Sequence, residues 1–172
     1  MVENIEILNT ILKTIDFYPD AVLIFDSKGI VQGLNGKLEK LLNIQSNEII
    51  GHLCNSHVLK SLRRVEPNLI DLISNRQDFD QPNILIQQDQ QTLSIEHFAS
   101  EIGGGKYLLI QSTPITADNG DLIAIFQTIR DITEKVQAEI LLAENEEKYS
   151  LLFRQSIDGI IITTLAGTIL DL

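Results

Sequence analysis

The chain has no tryptophan, one cysteine and four prolines, and only 5% of its residues are aromatic. The lone Cys54 excludes an intramolecular disulfide and any multi-cysteine metal site, and it fits a reducing compartment. No apolar run approaches the roughly 18 to 20 residues of a membrane span. The first ten residues, MVENIEILNT, hold neither a basic segment nor an apolar block, so no secretory signal is expected. Basic residues are scarce as well, 13 against 24 acidic ones, for a formal net charge of −11. A negative field of that size repels nucleic acid and anionic lipid, which removes both from the expected partners. The expectation is a cytoplasmic acidic module with no membrane contact.

What is present is enough for one good core: 172 residues with 44% apolar side chains and both charge signs. In Glu3 to Ile15 the apolar residues Ile5, Leu8, Leu12 and Ile15 recur three and four apart, as in a coiled-coil seam. That helix either self-associates or lies on its own domain, and Pro19-Asp20 ends it. Ala21 to Phe25, the turn Asp26 to Gly29, and Ile30 to Leu34 read as a hairpin. Leu38, Leu41 and Leu42 mark a short helix, Ser46 to Ile49 a second ended by Gly51, and Leu53 to Ser74 a longer one around Pro67. Asn83 to Ser100 is strand-like in two pieces. In the second piece Leu93, Ile95 and His97 share one face, with Ser94, Glu96 and Phe98 on the other. A glycine turn at Gly103 to Gly105 leads into a strand from Lys106 to Thr116. The order predicts an α+β domain, an antiparallel sheet with helices gathered on one side.

The last strand is the pivot. Asp118-Asn119-Gly120 turns into the apolar run Leu122 to Ile129, which stops at Asp131-Ile132-Thr133-Glu134. Asp131 or Thr133 can satisfy the free amides at the start of the helix that follows, and Asp131 with Glu134 is spaced like a capping box. In that helix, Glu134 to Phe153, the residues Ala138, Leu142, Asn145, Tyr149 and Leu152 alternate four and three apart. They form a second seam, in which a polar Asn145 can fix register. The tail then repeats the beginning. Asp158-Gly159-Ile160-Ile161-Ile162 with Gly167-Thr168-Ile169 matches Asp20 to Ile24 with Gly29 to Val31 at a constant offset of 138. The expectation is a second domain copy that stops after one hairpin, a unit marginal on its own.

These stretches together resemble a PAS domain with its C-terminal PAC segment, followed by the start of another PAS domain. The resemblance rests on Pro19 to Asp26 with Gly29-Ile30, and on Asn35, Leu38-Glu39, Leu41-Leu42 and Ser46 to Gly51. It continues through Asp118 to Lys135 with its D-I-T-E-K ending, and through Asn145 to Tyr149, Leu152-Phe153 and Asp158-Gly159. It covers nearly the whole chain, and the ordered set is far more specific than any one piece. The resemblance implies a five-stranded antiparallel sheet in the order 2-1-5-4-3, with helices on one face enclosing a small cavity. Lining that cavity it implies Ile24, Leu42, Leu53, His57, Leu62, Ile110, Ile125 and Gln127. It further implies a relay joint at Asp131, Ile132 and Thr133, with Asp131 held by a basic or amide partner. The segments become an N-terminal helix at 1–16, the PAS/PAC domain at 17–133, a connector helix at 134–153, and a second PAS start at 154–172. The usual setting is a signalling protein with a histidine kinase or diguanylate cyclase effector downstream.

Cofactor signals are weak. Flavin-binding light sensors of this family carry G-x-N-C-R-F-L-Q around a reactive cysteine, whereas Gly51 to Val58 reads GHLCNSHV. Their ring-binding glutamine lies two residues before the D-x-T aspartate, where this chain has Ile129, with Gln127 two positions away. Haem-binding members use a helical histidine, and His57, accompanied only by His52 and His97, lacks a surrounding haem motif. Ser56 to Leu62 resembles a phospho-acceptor box but has Val58 and Ser61 where the acid and the proline belong. The expectation is therefore a chain without catalysis, metal or cofactor: a PAS sensory and dimerisation module, homodimeric through its flanking helices. The rivals are a structural dimerising spacer with a filled core and a haem- or flavin-binding sensor.

Overall fold

The structure, a computed structural model, describes residues 2–53, 85–89, 92–155, 162–163 and 169–171. It divides into two compact units, Met1–Thr133 and Glu134–Leu172. The helix expected between 53 and 74 falls outside the described residues, as do Cys54, His57 and Leu62. None of the described helices is long and apolar enough to cross a membrane.

In the first unit, α1 (Val2–Leu12) and a 3-10 turn at Ile15–Phe17 lead to the hairpin of β1 (Ala21–Asp26) and β2 (Val31–Leu34). The hairpin turn is built by Asp26, whose Oδ1 accepts from the amides of Lys28 and Ile30, both at 2.9 Å. Gly29 closes it with a φ of 79°, a conformation open to glycine without steric penalty. Two short helices follow, α2 (Gly36–Leu42) and α3 (Ser46–Ile49). After the undescribed stretch come β3 (Leu85–Asp89), β4 (Thr92–Ala99), β5 (Lys106–Thr116) and β6 (Leu122–Asp131).

The described strands of this unit form one antiparallel sheet in the order β2-β1-β6-β5-β4-β3. The five strands β2-β1-β6-β5-β4 reproduce the 2-1-5-4-3 order. The sixth, β3, is added at the edge because the two pieces of Asn83 to Ser100 pair with each other, Asp89 opposite Thr92. The last strand of this unit, β6, therefore lies in the middle, between β1 and β5.

Both faces of the centre are covered. Toward α2 and α3 the sheet buries Leu23, Phe25, Leu93, Ile95, Leu108, Ile110, Ile125 and Ile129, with Leu38 and Ile49 from the helices. Toward α1 it buries Val22, Ile24 and Ala124, with Ile15, Leu8, Ile11 and Leu12 packed on them. The seat of α1 requires a glycine: a Cβ on Gly33 would lie 2.3 Å from Leu12 Cδ2. The N-terminal seam residues Leu8, Leu12 and Ile15 are thus packed on the chain's own sheet, as a helix lying on its own domain would have them.

One buried amide ties these parts together. Asn35 Oδ1 accepts from the amides of Val22 and Leu38, at 3.0 and 3.1 Å. Its Nδ2 donates to the carbonyls of Ile15 and Asp20, at 3.1 and 2.9 Å. Asn35 therefore caps α2 while anchoring the α1 linker to β1.

The second unit holds α4 (Thr133–Gln155) and a hairpin of β7 (Ile162–Thr163) and β8 (Ile169–Asp171). The hairpin pairs Ile162 with Asp171 and Thr163 with Ile169. In the first hairpin Ile24 pairs with Gly33 and Phe25 with Val31. Every partner is displaced by the same 138 positions, and the register irregularity falls at the same place in both.

Candidate functional site

Strand alternation sends Ile125, Gln127 and Ile129 of β6 to the face covered by α2 and α3. Gln127 lies opposite Ser112 on one side and Leu23 on the other, and Ser112 opposite Leu93. This cross-sheet row is buried, Ser112 at 0% and Gln127 at 2% exposure. Gln127 Nε2 donates to Ser112 Oγ at 3.1 Å, a polar pair set into an apolar surface.

From that row β6 runs to the joint. Asp131 is its last residue, Ile132 is buried, and Thr133 opens α4. The start of β5 clasps all three. The Ile132 amide donates to the Tyr107 carbonyl at 2.8 Å, and the Tyr107 amide donates to Thr133 Oγ1 at 3.0 Å. Asp131 Oδ1 accepts from the Thr133 amide at 3.0 Å and from its hydroxyl at 2.6 Å. Lys106 Nζ ion-pairs with Asp131 Oδ2. Asp131 thus has both a basic partner and an amide partner. Glu134 is not among the groups bonded to Asp131, so the joint is an Asp-Thr turn and not a capping box.

Partial burial alone would raise the Asp131 carboxyl. Hydrogen bonds from Lys106 and Thr133, with the Lys106 charge, outweigh it and hold the group below the usual carboxylate range. Gly103, with a φ of 54°, lies against the Lys106 side chain, where a Cβ would sit 2.8 Å from Lys106 Cε. Its neighbour Gly105 does the same for Phe98, whose ring packs on Tyr107 with centroids 4.8 Å apart. On the other side of β6, Arg130 grips Asp20 with two hydrogen bonds, at 3.0 and 2.6 Å. The end of β6 is therefore fixed to the start of β1 and the start of β5 together.

A surface pocket of about 410 Å³ borders this clasp, between the end of α2 and the turn after β4. Leu42 and Lys106 line it, with Lys40, Asn43, Glu101 and Ile102.

The structure brings Leu42, Ile110, Ile125 and Gln127 to one face of the sheet. Ile24 is not with them. It pairs with Phe126 and lies in the cluster under α1, since residues 22 and 24 point opposite to 23 and 25. Leu53 is half exposed, at 50%, bridged to Ile30 beyond the edge of the core. In α4 the seam positions Ala138, Leu142, Asn145 and Tyr149 are exposed, Leu142 at 60% and Tyr149 at 63%. The side chains of Ile5 and Leu152 are outside the described set. No cluster of three or more metal-ligating side chains occurs among the described residues. The sequence reading missed Ser112, Lys106, Tyr107 and Arg130. Cross-strand partners follow from register, which depends on turn geometry and bulges as well as on the pattern of each strand.

Comparison with known proteins supplies a family. A family model described as the PAS fold matches residues 16–137. Comparison with curated protein sequences gives no match. Among solved structures, the PAS domain of Bordetella pertussis BvgS superposes with a TM-score of 0.53 at 14% identity, covering 81% of this chain and 97% of that one. The phage VqmA-DPO complex gives 0.56 at 13% identity, over 82% of this chain and 60% of that one. The Vibrio cholerae VqmA dimer gives 0.52 at 11% identity, over 74% and 52%. At these identities the structural likeness speaks for the fold alone.

Proposed function

The chain belongs to the PAS fold family, a family of signal-sensing modules, and from that membership we propose that it works as a sensory and dimerisation module in a multidomain signalling protein. The input is a change of packing on the helix-facing side of the sheet. The output is a change at Asp131-Ile132-Thr133 that alters the pitch or register of α4. Only a ligand or partner that binds two packings unequally can drive this. The observation that carries the reading is continuity: β6 runs unbroken from the buried Gln127 row to the clasped joint, and α4 starts two residues later.

The module has no catalysis of its own and acts in the cytoplasm on a downstream effector, a histidine kinase or diguanylate cyclase. It pairs with a second copy through its flanking helices, chiefly α4, whose seam residues are exposed. The dimeric Vibrio cholerae VqmA, of like fold, is in keeping with self-association. The tail begins a second PAS copy, a reading supported by the shared hairpin register at offset 138. Replacing Asp131 with Ala in the full signalling protein is expected to uncouple output from signal while leaving the sheet folded. Unchanged signalling with that variant would refute the relay.

A structural spacer is the second reading, favoured by the completeness of the core: Leu23, Leu38, Ile49, Leu108 and Ile125 are all at 0% exposure. Native mass spectrometry of the purified protein separates the two, since a retained small molecule fits only a sensor. A visible absorption band would instead assign the chain to the haem- or flavin-binding sensors.

A further inference from the structure

The pocket beside the joint carries a charge opposite to that of the chain. Acidic residues outnumber basic ones 24 to 13 along the sequence, yet Lys40 and Lys106 line this pocket against Glu101 alone. Its walls come from the last turn of α2 and the turn joining β4 to β5, and no residue of the central strand lines it. At about 410 Å³ it has room for a small ligand. Lys40 is exposed, and its ammonium has no partner among the described residues. The backbone amide of Gly103, also at the lining, is unpaired among them too. Leu41, Leu42 and Ile102 add an apolar wall. Lys106 both lines the pocket and holds Asp131, so one side chain belongs to the pocket and to the clasp.

We propose that this pocket binds a small monocarboxylate with a compact apolar body, and that the bound carboxylate takes Lys106 from Asp131. Two ammonium groups and a free amide suit one carboxylate, while the apolar wall takes the body of the ligand. Glu101 repels a second negative charge and so selects against dianions. The Lys106–Asp131 pair is about one-third exposed on each side, at 32% and 34%, and a solvent-screened pair of that kind is weak. A carboxylate facing two lysines can therefore displace Asp131. The coupling is reciprocal: the ligand loosens the clasp, and the clasp weakens the ligand. The inference deepens the sensory reading by adding an input at the joint itself, and only that consequence rests on the reading.

The test is a titration of the intact, isotope-labelled chain with benzoate, followed by the backbone amide signals of Ile102 and Gly103. Benzamide, which is neutral, and phthalate, which carries two carboxylates, serve as comparisons. Benzoate is expected to shift those signals saturably, with benzamide and phthalate binding about fivefold more weakly or less. Lys40→Gln should weaken benzoate several-fold, and Glu101→Gln should bring phthalate closer to it. Asp131→Asn, which frees Lys106, should tighten benzoate several-fold. Saturating benzoate should speed solvent exchange of the Thr133 amide, whose acceptor is Asp131 Oδ1. No shift at Ile102 and Gly103, equal affinity for benzoate and benzamide, or undiminished binding by Lys40→Gln would overturn the site. Phthalate binding as tightly as benzoate to the wild-type chain would overturn the selection of a single charge. Unchanged affinity in Asp131→Asn, or unchanged Thr133 exchange, would overturn the competition for Lys106. The Asp131→Ala signalling experiment reads the relay separately, so the relay stands or falls without this result.

Discussion

Asn35 and Asp131 do their work through bonds that join distant parts of the chain. The partners of Asn35 come from the 3-10 turn, the entry to β1, β1 itself and α2. Only the bond to the Leu38 amide, three residues on, follows the spacing of a helix cap and was legible locally. Asn35→Ala leaves buried donors and acceptors unmet and should cost about 2–3 kcal/mol of stability in urea unfolding, with an unchanged m-value. Asp131 gives a pH signature. Its folded-state pKa is depressed, so the clasp contributes fully above the usual carboxylate range and is lost as pH falls through the lowered value. Asp131→Asn should therefore be less stable than wild type at neutral pH, and the gap should narrow below about pH 4. A gap independent of pH would show that the carboxylate's charge is not what holds the joint. The sequence singled out Asp131 from the D-I-T spacing alone. It did not reveal Lys106, which lies 25 residues earlier and meets Asp131 only through the β5–β6 register.

Elements were legible wherever their boundaries carry chemistry. The hairpin, the short helices before Gly51, the glycine turn and the final strand all begin or end at residues with restricted or permissive backbones. Facing was not legible in β1. Its run Ala21 to Phe25 is apolar throughout because α1 covers one side and α2 and α3 the other. A strand buried on both faces shows no alternation, and Ile24 could not be assigned to a side from composition. The same ambiguity touches α1, whose three-and-four spacing suits a partner helix and the sheet surface equally. The sheet takes it, through the flat place at Gly33. Gly33→Val should dislodge α1. Amides of Leu8 to Leu12 should then exchange faster, while those of β5 and β6 keep their protection. Gly36→Ala is the control, since a Cβ there meets nothing closer than Glu39 Oε2 at 3.9 Å. Equal effects of the two variants would mean that Leu12 does not depend on the glycine.

Fold and family were the most legible properties of the whole molecule, because they rest on the order of many weak signals. The repeat at offset 138 was visible as sequence and reappears as an identical hairpin register. The exposed seam of α4 predicts a concentration-dependent dimer in sedimentation velocity. Leu142→Lys, which sets a charge into that seam, should weaken it by about tenfold or more. A chain that stays monomeric at high concentration would remove α4 as a pairing element.

In the proposed relay, packing on the helix-facing side of β6 is energetically coupled to the joint through Asp131. A double-mutant cycle tests it most directly, with native-state hydrogen exchange of the Ile132 and Thr133 amides as the readout. Ile125→Val perturbs the core and Asp131→Ala releases the clasp, each alone and then together. Non-additive exchange free energies are expected at those two amides, with a coupling of about 0.5 kcal/mol or more. Strict additivity would contradict it, leaving β6 a buried strand and the joint a cap that does not sense the core.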